Sequence, residues 1–203
     1  MIIGKWNRSV ILTYLGMVSA VFGMYLALVA DKVNYAYACL MIAGVCDLFD
    51  GAVARKVKRD EEEKAFGVQL DSLVDVMSFI ALPVTIFVAS GLKSIWFMPL
   101  FALFAISGIA RLAYFNIMTA DSEQPIRYYT GLPVTYSALI FPVVNLIGLV
   151  ADELIYRIVY VIAILAVAVL GVMRISIVKP RGIAYVFFGL LAIGMLILYL
   201  VVL

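Results

Sequence analysis

The stretch "CDLFDGAVARKVKRDEEEKAFGVQLDSLVDVMSF", residues 46–79, places four aspartates in two apolar segments on either side of a charged run. These aspartates are Asp47, Asp50, Asp71 and Asp75. Both segments are apolar enough to lie in a membrane, where an ionised carboxylate at a helix centre costs roughly 3 kcal/mol even on lenient scales. Side chains this unfavourable face the interior of a helical bundle rather than lipid, and they indicate a functional site.

Helical spacing groups the aspartates into two stripes. In each segment the acidic residues are three or four positions apart, so they share one helix face with the smallest residues nearby. The stripes consist of Asp47, Asp50, Gly51 and Ala54, and of Gly67, Asp71 and Asp75. If the two helices pack face to face, four negative charges come close together, which is unfavourable unless cations lie among them.

The composition predicts an integral membrane protein. Of 203 residues, 66% are hydrophobic and 14% are charged, whereas soluble domains are nearer half apolar. The formal net charge is only +2, from 15 basic and 13 acidic residues, so no bulk charge indicates a nucleic-acid partner. There is no histidine, so metal chemistry must use carboxylates and a hard cation.

The carboxylate pattern predicts one or two Mg²⁺ or Mn²⁺ ions with positions open for substrate. Such ions bridge phosphate oxygens, so phosphoryl chemistry is the natural partner. The alternative is that the aspartates cap helices or pair with Arg55, Lys56 and Lys58 at the membrane surface. Caps account for one aspartate at a helix start, and they do not account for four at helical spacing.

Apolar runs near the ~20 residues needed to cross a bilayer predict seven spans. They lie at roughly 9–30, 34–54, 68–91, 96–118, 131–150, 153–173 and 182–203. We therefore predict an all-α polytopic bundle that forms one membrane-embedded domain over 1–203. The count of seven rests on the last span. The charged stretch 56–65 is interpreted as a solvated loop.

The basic residues orient the bundle. With a cytoplasmic N-terminus, cytoplasmic stretches hold eleven of them: Lys5, Arg8, Arg55, Lys56, Lys58, Arg59, Lys64, Arg127, Arg174, Lys179 and Arg181. The other side holds three, Lys32, Lys93 and Arg157, and Arg111 lies inside a span. The positive-inside rule then predicts a cytoplasmic N-terminus and a cytoplasm-facing site in a cell membrane.

Two smaller groups of residues are interpreted structurally. Cys39 and Cys46 are two turns apart on one helix, roughly 10 Å, which is too far for a disulfide. Aromatic side chains near span ends are interpreted as interface anchors. These aromatics are Trp6, Trp96, Tyr128, Tyr129 and Tyr156.

The acidic stripes match a known signature. The pattern Asp47-x-x-Asp50-Gly51-x-x-Ala54-Arg55, followed by Gly67-x-x-x-Asp71-x-x-x-Asp75, fills all eight of its positions. It resembles the signature of the CDP-alcohol phosphotransferases, which are integral membrane enzymes of phospholipid synthesis. The resemblance implies transfer of a phosphatidyl-like group from a CDP-linked lipid to an alcohol, with release of CMP.

The resemblance also implies an architecture and a division of roles. It implies six core helices, to which the C-terminal span adds a seventh, together with homodimers and a cytoplasm-facing polar cavity. Asp47, Asp50 and Asp71 resemble metal ligands, and Asp75 resembles the base that also ligates metal. The resemblance also implies which residues contact the nucleotide part of the CDP-lipid. They are Asp47, Gly51, Ala54, Arg55, Gly67 and Asp71.

Three further stretches are similar to the phosphatidylserine synthase branch of this family. They are "FGVQLDSLVDVMSF" (66–79), "ARLAYFNI" (110–117) and "YTGLPVTYSALIFP" (129–142). The resemblance implies that L-serine is the acceptor and that the lipid donor is CDP-diacylglycerol or an archaeal ether equivalent. Around Thr13 the match is poorer, so no contact is assigned there.

Basic and polar residues outside the signature are candidates for the acceptor side. Arg111 is alone inside an apolar span, where it needs an anionic partner. That partner is either one of the aspartates in a salt bridge or a substrate phosphate or carboxylate, which a guanidinium binds bidentately. Arg127 and Asn116 are further candidates on the same side.

Two rival functions remain open at the sequence level. The acceptor could be glycerol 3-phosphate or an inositol phosphate, although a second phosphate calls for a denser basic pocket than Arg111 and Arg127 offer. A divalent-cation transporter would use the same carboxylates but needs acidic residues along a path to both faces. The predicted outer side offers only Asp31, Asp152 and Glu153.

Overall fold

The structure is a computed structural model that describes residues 3–120, 128–178 and 183–202. Apolar helices joined by short connections dominate these ranges. The α-helices are α1 (Ile11–Leu28), α2 (Val33–Ala54), α3 (Glu61–Val76), α4 (Leu82–Ala89), α5 (Met98–Ala120), α6 (Ser137–Asn145), α7 (Glu153–Val172) and α8 (Ile183–Ile197). A π-helical segment, Met77–Ala81, joins α3 to α4, and another, Leu198–Val202, extends α8.

The predicted all-α polytopic bundle is confirmed. Five helical stretches in the described ranges are long and apolar enough to cross a membrane. They are Arg8–Leu28, Val33–Ala54, Glu61–Ala89, Ile95–Met118 and Glu153–Val172. Two shorter apolar helices, Val134–Leu149 and Gly189–Val201, lie where the fifth and seventh spans were predicted. The fifth is shorter than predicted because its first helical residues follow the irregular segment at 131–133.

Small residues let α1 pack closely along α2. A Cβ added to Gly23 would lie 2.8 Å from the Cβ of Cys39, and one added to Gly16 would lie 3.4 Å from that of Cys46. Ser19 of α1 also donates a hydrogen bond to the carbonyl oxygen of Cys39, at 2.9 Å. Both cysteines are buried and free, as predicted. This contact brings the start of α1 beside the end of α2 that carries the acidic stripe.

An aromatic cluster forms the centre of the bundle. The ring of Phe87 in α4 lies 4.7 to 5.8 Å, centroid to centroid, from the rings of Phe101, Phe104, Phe141 and Tyr160. These partners belong to α5, α6 and α7, so a single side chain links four helices. These ring contacts hold together helices that also carry the polar residues.

A hydrogen-bonded group fastens the end of the last helix to the bundle. The hydroxyl of Tyr199 donates to the carbonyl oxygen of Pro142 at 2.7 Å and accepts from the side-chain amide of Asn145 at 3.0 Å. Tyr156 donates to the amide oxygen of Asn145 at 2.9 Å. The interpretation of Tyr156 as only an interface anchor was therefore wrong, because its hydroxyl lies within this network.

The charged stretch at 56–65 was predicted to be a loop throughout, but its second half is helical. Helix α3 begins at Glu61, and Asp60 is its N-cap. The backbone N–H of Glu63 donates to Asp60 Oδ1 at 2.6 Å, and that of Asp60 donates to Glu63 Oε2 at 3.0 Å. This is a capping box, and its Asp-x-x-Glu spacing is visible in the sequence. Lys5 lies 2.7 Å from Glu62 and holds the N-terminal segment against this turn.

A two-stranded antiparallel sheet, not predicted from the sequence, joins two connections beside the acidic helices. Strand β1 (Tyr128–Thr130) pairs with β2 (Ser176–Val178). Beyond it, Gly131 donates its backbone N–H to the carbonyl oxygen of Ile175 at 2.9 Å. Gly131 has φ +74°, and an added Cβ would lie 2.4 Å from the carbonyl oxygen of Gly171. We call this pair of strands, with Gly131, the strap.

Candidate active site

The two acidic stripes meet, as their spacing predicted. Asp47 of α2 and Asp71 and Asp75 of α3 each offer a carboxylate oxygen, and these three oxygens all lie within 4.8 Å of one another. Asp75 is 7% exposed, and the other two are half-buried. The π-helical segment begins two residues after Asp75, so the helix changes its winding directly beside the cluster.

The fourth aspartate has a different neighbour. Asp50 Oδ2 accepts a hydrogen bond from Thr13 Oγ1 at 3.1 Å. Asp50 lies outside the group of three convergent oxygens, although it lines the same cavity as Asp71. The sequence did not identify Thr13 as a partner of the acidic residues. The available signal was a buried hydroxyl in the first span, whose partner could not be identified without the packing of α1 on α2.

The aspartates fit a hard divalent cation. In the described part of the chain, no lysine or arginine forms an ion pair with Asp47, Asp50, Asp71 or Asp75. Carboxylates collected in a partly buried site without such partners repel one another. Oxygen ligands within this distance of each other are the donor set that Mg²⁺ or Mn²⁺ prefers. The alternative that these aspartates pair with Arg55, Lys56 or Lys58 finds no support in these contacts.

The aspartates line a cavity of about 370 Å³, which we call the catalytic cavity. Helices α2, α3 and α5 and the strap supply its walls. The predicted site residues that line it, besides the four aspartates, are Gly51, Arg55, Arg111 and Asn116. Ala54 and Gly67 do not line it, and Arg127 lies outside the described residues. Asn116 donates a hydrogen bond to Ser72 Oγ at 2.8 Å, which links α5 to α3.

Gly51 leaves room in the cavity that the fold itself does not require. A Cβ added there would meet only Nη1 of Arg55, at 3.5 Å, which is ordinary contact. By contrast, Gly108 in α5 is needed for packing, since its added Cβ would lie 2.6 Å from Ile80. The small residue in the acidic stripe therefore keeps space open beside the carboxylates.

Arg111 lies against two aromatic rings that also contact each other. Its guanidinium carbon lies 4.9 Å from the ring centroid of Phe115 and 5.9 Å from that of Tyr129, an arrangement that stabilises a cation. The side chain is 7% exposed, and its buried Nε has no hydrogen-bond partner. Among the described residues, Arg111 forms no ion pair with an aspartate, which was one of the two alternatives. Tyr129 is not merely an interface anchor, because its ring forms part of this contact.

Arg111 also borders a second cavity, of about 280 Å³, which we call the arginine cavity. Its other walls include Tyr114, Thr130 and Arg174. Arg174 follows the end of α7 and was counted only as a cytoplasmic charge in the sequence. The strap brings it near Arg111, and no spacing in the sequence could have shown that proximity.

The sequence of this chain matches the model of a known protein family. The model for CDP-alcohol phosphatidyltransferases matches residues 6–203, almost the whole chain. The chain belongs to the CDP-alcohol phosphatidyltransferase family. The matched range of this phosphatidyltransferase includes both acidic stripes.

Curated relatives of this phosphatidyltransferase share about a third of the aligned residues. It is 33% identical over 123 residues to the CDP-diacylglycerol–serine O-phosphatidyltransferase of Saccharomyces cerevisiae, covering 56% of this chain and 44% of that protein. It is 32% identical over 109 residues to the archaetidylserine synthase of Methanothermobacter thermautotrophicus, covering 53% and 45%. The serine O-phosphatidyltransferase of Helicobacter pylori strain J99 is 32% identical over 127 residues, covering 60% and 52%. The chain spans about half the length of these relatives.

Proposed function

We propose that this protein transfers a phosphatidyl-like group from a CDP-activated lipid to the hydroxyl of L-serine and releases CMP, in phospholipid biosynthesis. The observation that carries the proposal is the convergence of Asp47, Asp71 and Asp75 at the wall of the catalytic cavity. The names of the relatives support serine as the acceptor for both ester-linked and archaeal lipids.

The chemistry divides between the aspartates. Asp47, Asp71 and Asp75, with Asp50 beside them, would hold Mg²⁺ or Mn²⁺. A bound cation would neutralise the negative charge of the pyrophosphate and of the departing CMP. Asp75, the most buried of the three, takes the proton from the serine hydroxyl. The serine oxygen forms a bond to the lipid-side phosphorus, and the bond from that phosphorus to the oxygen of CMP breaks.

The nucleotide side lies at the exposed end of the acidic stripe. Arg55 lines the catalytic cavity and is solvent-exposed, so its guanidinium is free to turn toward a phosphate. Gly51 leaves backbone accessible next to it. Ala54 and Gly67 keep their proposed roles as nucleotide-side positions through the family signature rather than through the cavity lining.

The acceptor side uses the buried arginine. Arg111 has a hydrogen-bonding group without a partner, and a carboxylate is a fitting bidentate ligand for its guanidinium. Arg174 adds a second positive charge at the arginine cavity. Asn116 and Arg127 remain proposed acceptor contacts. Glycerol 3-phosphate or inositol phosphate would place a dianion here, and the relatives' names favour serine over both.

The cellular setting of the site is also a proposal. Asp47 and Asp50 lie in the last two turns of α2, next to the charged connection at 55–60, and the distribution of Lys and Arg predicts that this connection is cytoplasmic. We therefore infer a multi-pass protein of the cell membrane whose site opens to the cytoplasm. The homodimer implied by the family resemblance stays a prediction, which light scattering of the protein in detergent would test.

The decisive experiment measures CMP release by purified protein in detergent. CDP-lipid and Mn²⁺ or Mg²⁺ are supplied with L-serine, glycerol 3-phosphate or an inositol phosphate in separate reactions. We expect release only with serine, and a loss of at least about 100-fold in Asp75→Asn, since a positioned general base contributes that much or more. Release with another acceptor would keep the family chemistry and overturn serine. No release with any acceptor, together with metal uptake into vesicles, would favour the transporter.

A further inference from the structure

An apolar groove of about 90 Å³ lies beside the catalytic cavity, between α2, α6 and α8. Four residues line both spaces, namely Asp47, Leu48, Thr135 and Tyr136. The polar members of this set lie at the shared end, and the rest of the groove is lined by apolar side chains and glycine. The groove is therefore a continuation of the catalytic cavity toward hydrocarbon.

Small residues determine the width of the groove. Gly44 of α2 faces α6 so closely that an added Cβ would lie 2.7 Å from the Cβ of Ala138. On the outer side, Ala192 of α8 is 8% exposed and closes the groove. Because Ala192 carries only a methyl group, a larger side chain at this position would narrow the groove.

The outer wall is held in place by the network at the end of α8. Tyr199, in the π-helical extension, hydrogen-bonds to the carbonyl oxygen of Pro142 in α6. Because α6 also carries Ala138 and Leu139 of the groove, this bond fixes α8 against the helix that forms the opposite wall. Contacts between α6 and α8 therefore fix the position of Ala192 relative to Ala138.

We propose that the groove takes the first carbon atoms of one hydrocarbon chain of the CDP-lipid, and that Ala192 of α8 limits how wide that chain can be. The proposal rests on the proposed function, since it takes the donor to be a CDP-lipid. The groove and the catalytic cavity are continuous, because Asp47 lines both. A lipid whose phosphates lie at the aspartates therefore has its chains directly at the mouth of the groove.

The test compares two substitutions on the same helix. Ala192→Leu puts a larger side chain into the groove. Gly194→Leu adds the same side chain at an exposed position where an added Cβ would meet nothing within 4 Å. The KM is measured for CDP-lipids with straight chains, for CDP-lipids with methyl-branched chains, and for a chain-free CDP-glycerol.

Ala192→Leu is expected to raise the KM for the branched lipid about tenfold or more, and to raise that for the straight-chain lipid less. The KM for CDP-glycerol should not change, and Gly194→Leu should match the wild type throughout. Equal effects on all three donors, or no effect on the lipids, would overturn the proposal.

A second measurement covers the case in which Ala192→Leu does not fold. Wild-type protein is irradiated with a CDP-lipid that carries a diazirine on the third carbon of a chain, and the labelled peptides are identified. Labels on α2, α6 and α8 are expected, and labels confined to other helices would contradict the groove. Labelling needs no acceptor, so it tests the groove independently of the proposed function. Failure of serine-dependent turnover would overturn serine as the acceptor without changing the labelling result.

Discussion

At the scale of single residues, the site depends on partners that hold its charged groups in place. Thr13 donates to Asp50 from a different helix, and the guanidinium of Arg111 lies against two aromatic rings. Residues that orient a metal ligand commonly change affinity or activity by 10- to 100-fold when they are removed. Two predictions follow from these contacts.

Thr13→Val removes the hydroxyl that orients Asp50 and keeps the shape of the side chain. We expect the metal concentration for half-maximal activity to rise by about 10- to 100-fold, with little change in thermal stability. The matched control is Ser19→Ala on the same helix, which also removes a hydroxyl that donates to α2 but lies away from the acidic cluster. An equal rise in both variants would mean that Thr13 acts only through the packing of α1 on α2.

Arg111→Lys keeps the positive charge but loses the planar group that stacks on the rings and binds a carboxylate bidentately. We expect the KM for serine to rise by about tenfold or more, because a hydrogen bond to a charged group contributes roughly 1.5–3 kcal/mol. The KM for the CDP-lipid should stay constant. The control Arg157→Lys alters an exposed arginine that pairs with Glu153 and should change neither value. A rise confined to the CDP-lipid KM would assign Arg111 to the lipid phosphate instead.

At the scale of elements, the strap decides what surrounds Arg111. It crosses the end of α7 so tightly that only glycine fits at position 131. In doing so it brings Tyr129 into the catalytic cavity and Thr130 into the arginine cavity. A segment three residues long per strand has little stability of its own, so its position depends on this close crossing.

Gly131→Ala is expected to destabilise the protein more than Gly91→Ala. Both glycines have positive φ, at +74° and +104°, and an alanine with positive φ costs roughly 1–2 kcal/mol. Only at Gly131 does the added Cβ also collide with backbone, 2.4 Å from the oxygen of Gly171, whereas at Gly91 its nearest contact is 3.9 Å away. Thermal unfolding in detergent measures the difference. Equal shifts of the two midpoints would show that the crossing is loose.

At the scale of the whole molecule, polar chemistry collects at one end of the bundle and packing at the other. Asp47 and Asp50 join the charged connection at 55–60 to the acidic cluster, whereas the rings around Phe87 and the Tyr199 network pack together away from it. The arrangement suits a reaction at one membrane surface.

The orientation of the bundle can be tested with single cysteines in intact cells. Lys58→Cys lies beside the acidic end, and Lys93→Cys lies in the connection after α4; both positions are exposed. The natural cysteines are buried, so background labelling should be low. A membrane-impermeant maleimide is expected to label only Lys93→Cys in intact cells, and to label both in opened cells. Labelling of Lys58→Cys in intact cells would reverse the predicted orientation.

The sequence alone determined the class of the fold and the content of the acidic cluster. A long hydrophobic run by itself indicates a membrane span. Helical spacing alone shows that Asp47 and Asp50 share one helix face and that Asp71 and Asp75 share another, whichever helices pack beside them. Such properties are local, since each depends only on residues within a few turns. The family signature is local for the same reason.

Only the tertiary structure decided what completes the site. Thr13 reaches Asp50 from 37 positions away, the strap joins residues near 130 to residues near 176, and Ala192 closes a groove that begins at Asp47. Long-range contacts of this kind depend on how helices pack, which no periodicity along the chain encodes. The sequence therefore predicted the acidic cluster, whereas the second arginine, the aromatic rings beside Arg111 and the wall of the apolar groove became visible only once the helices were packed together.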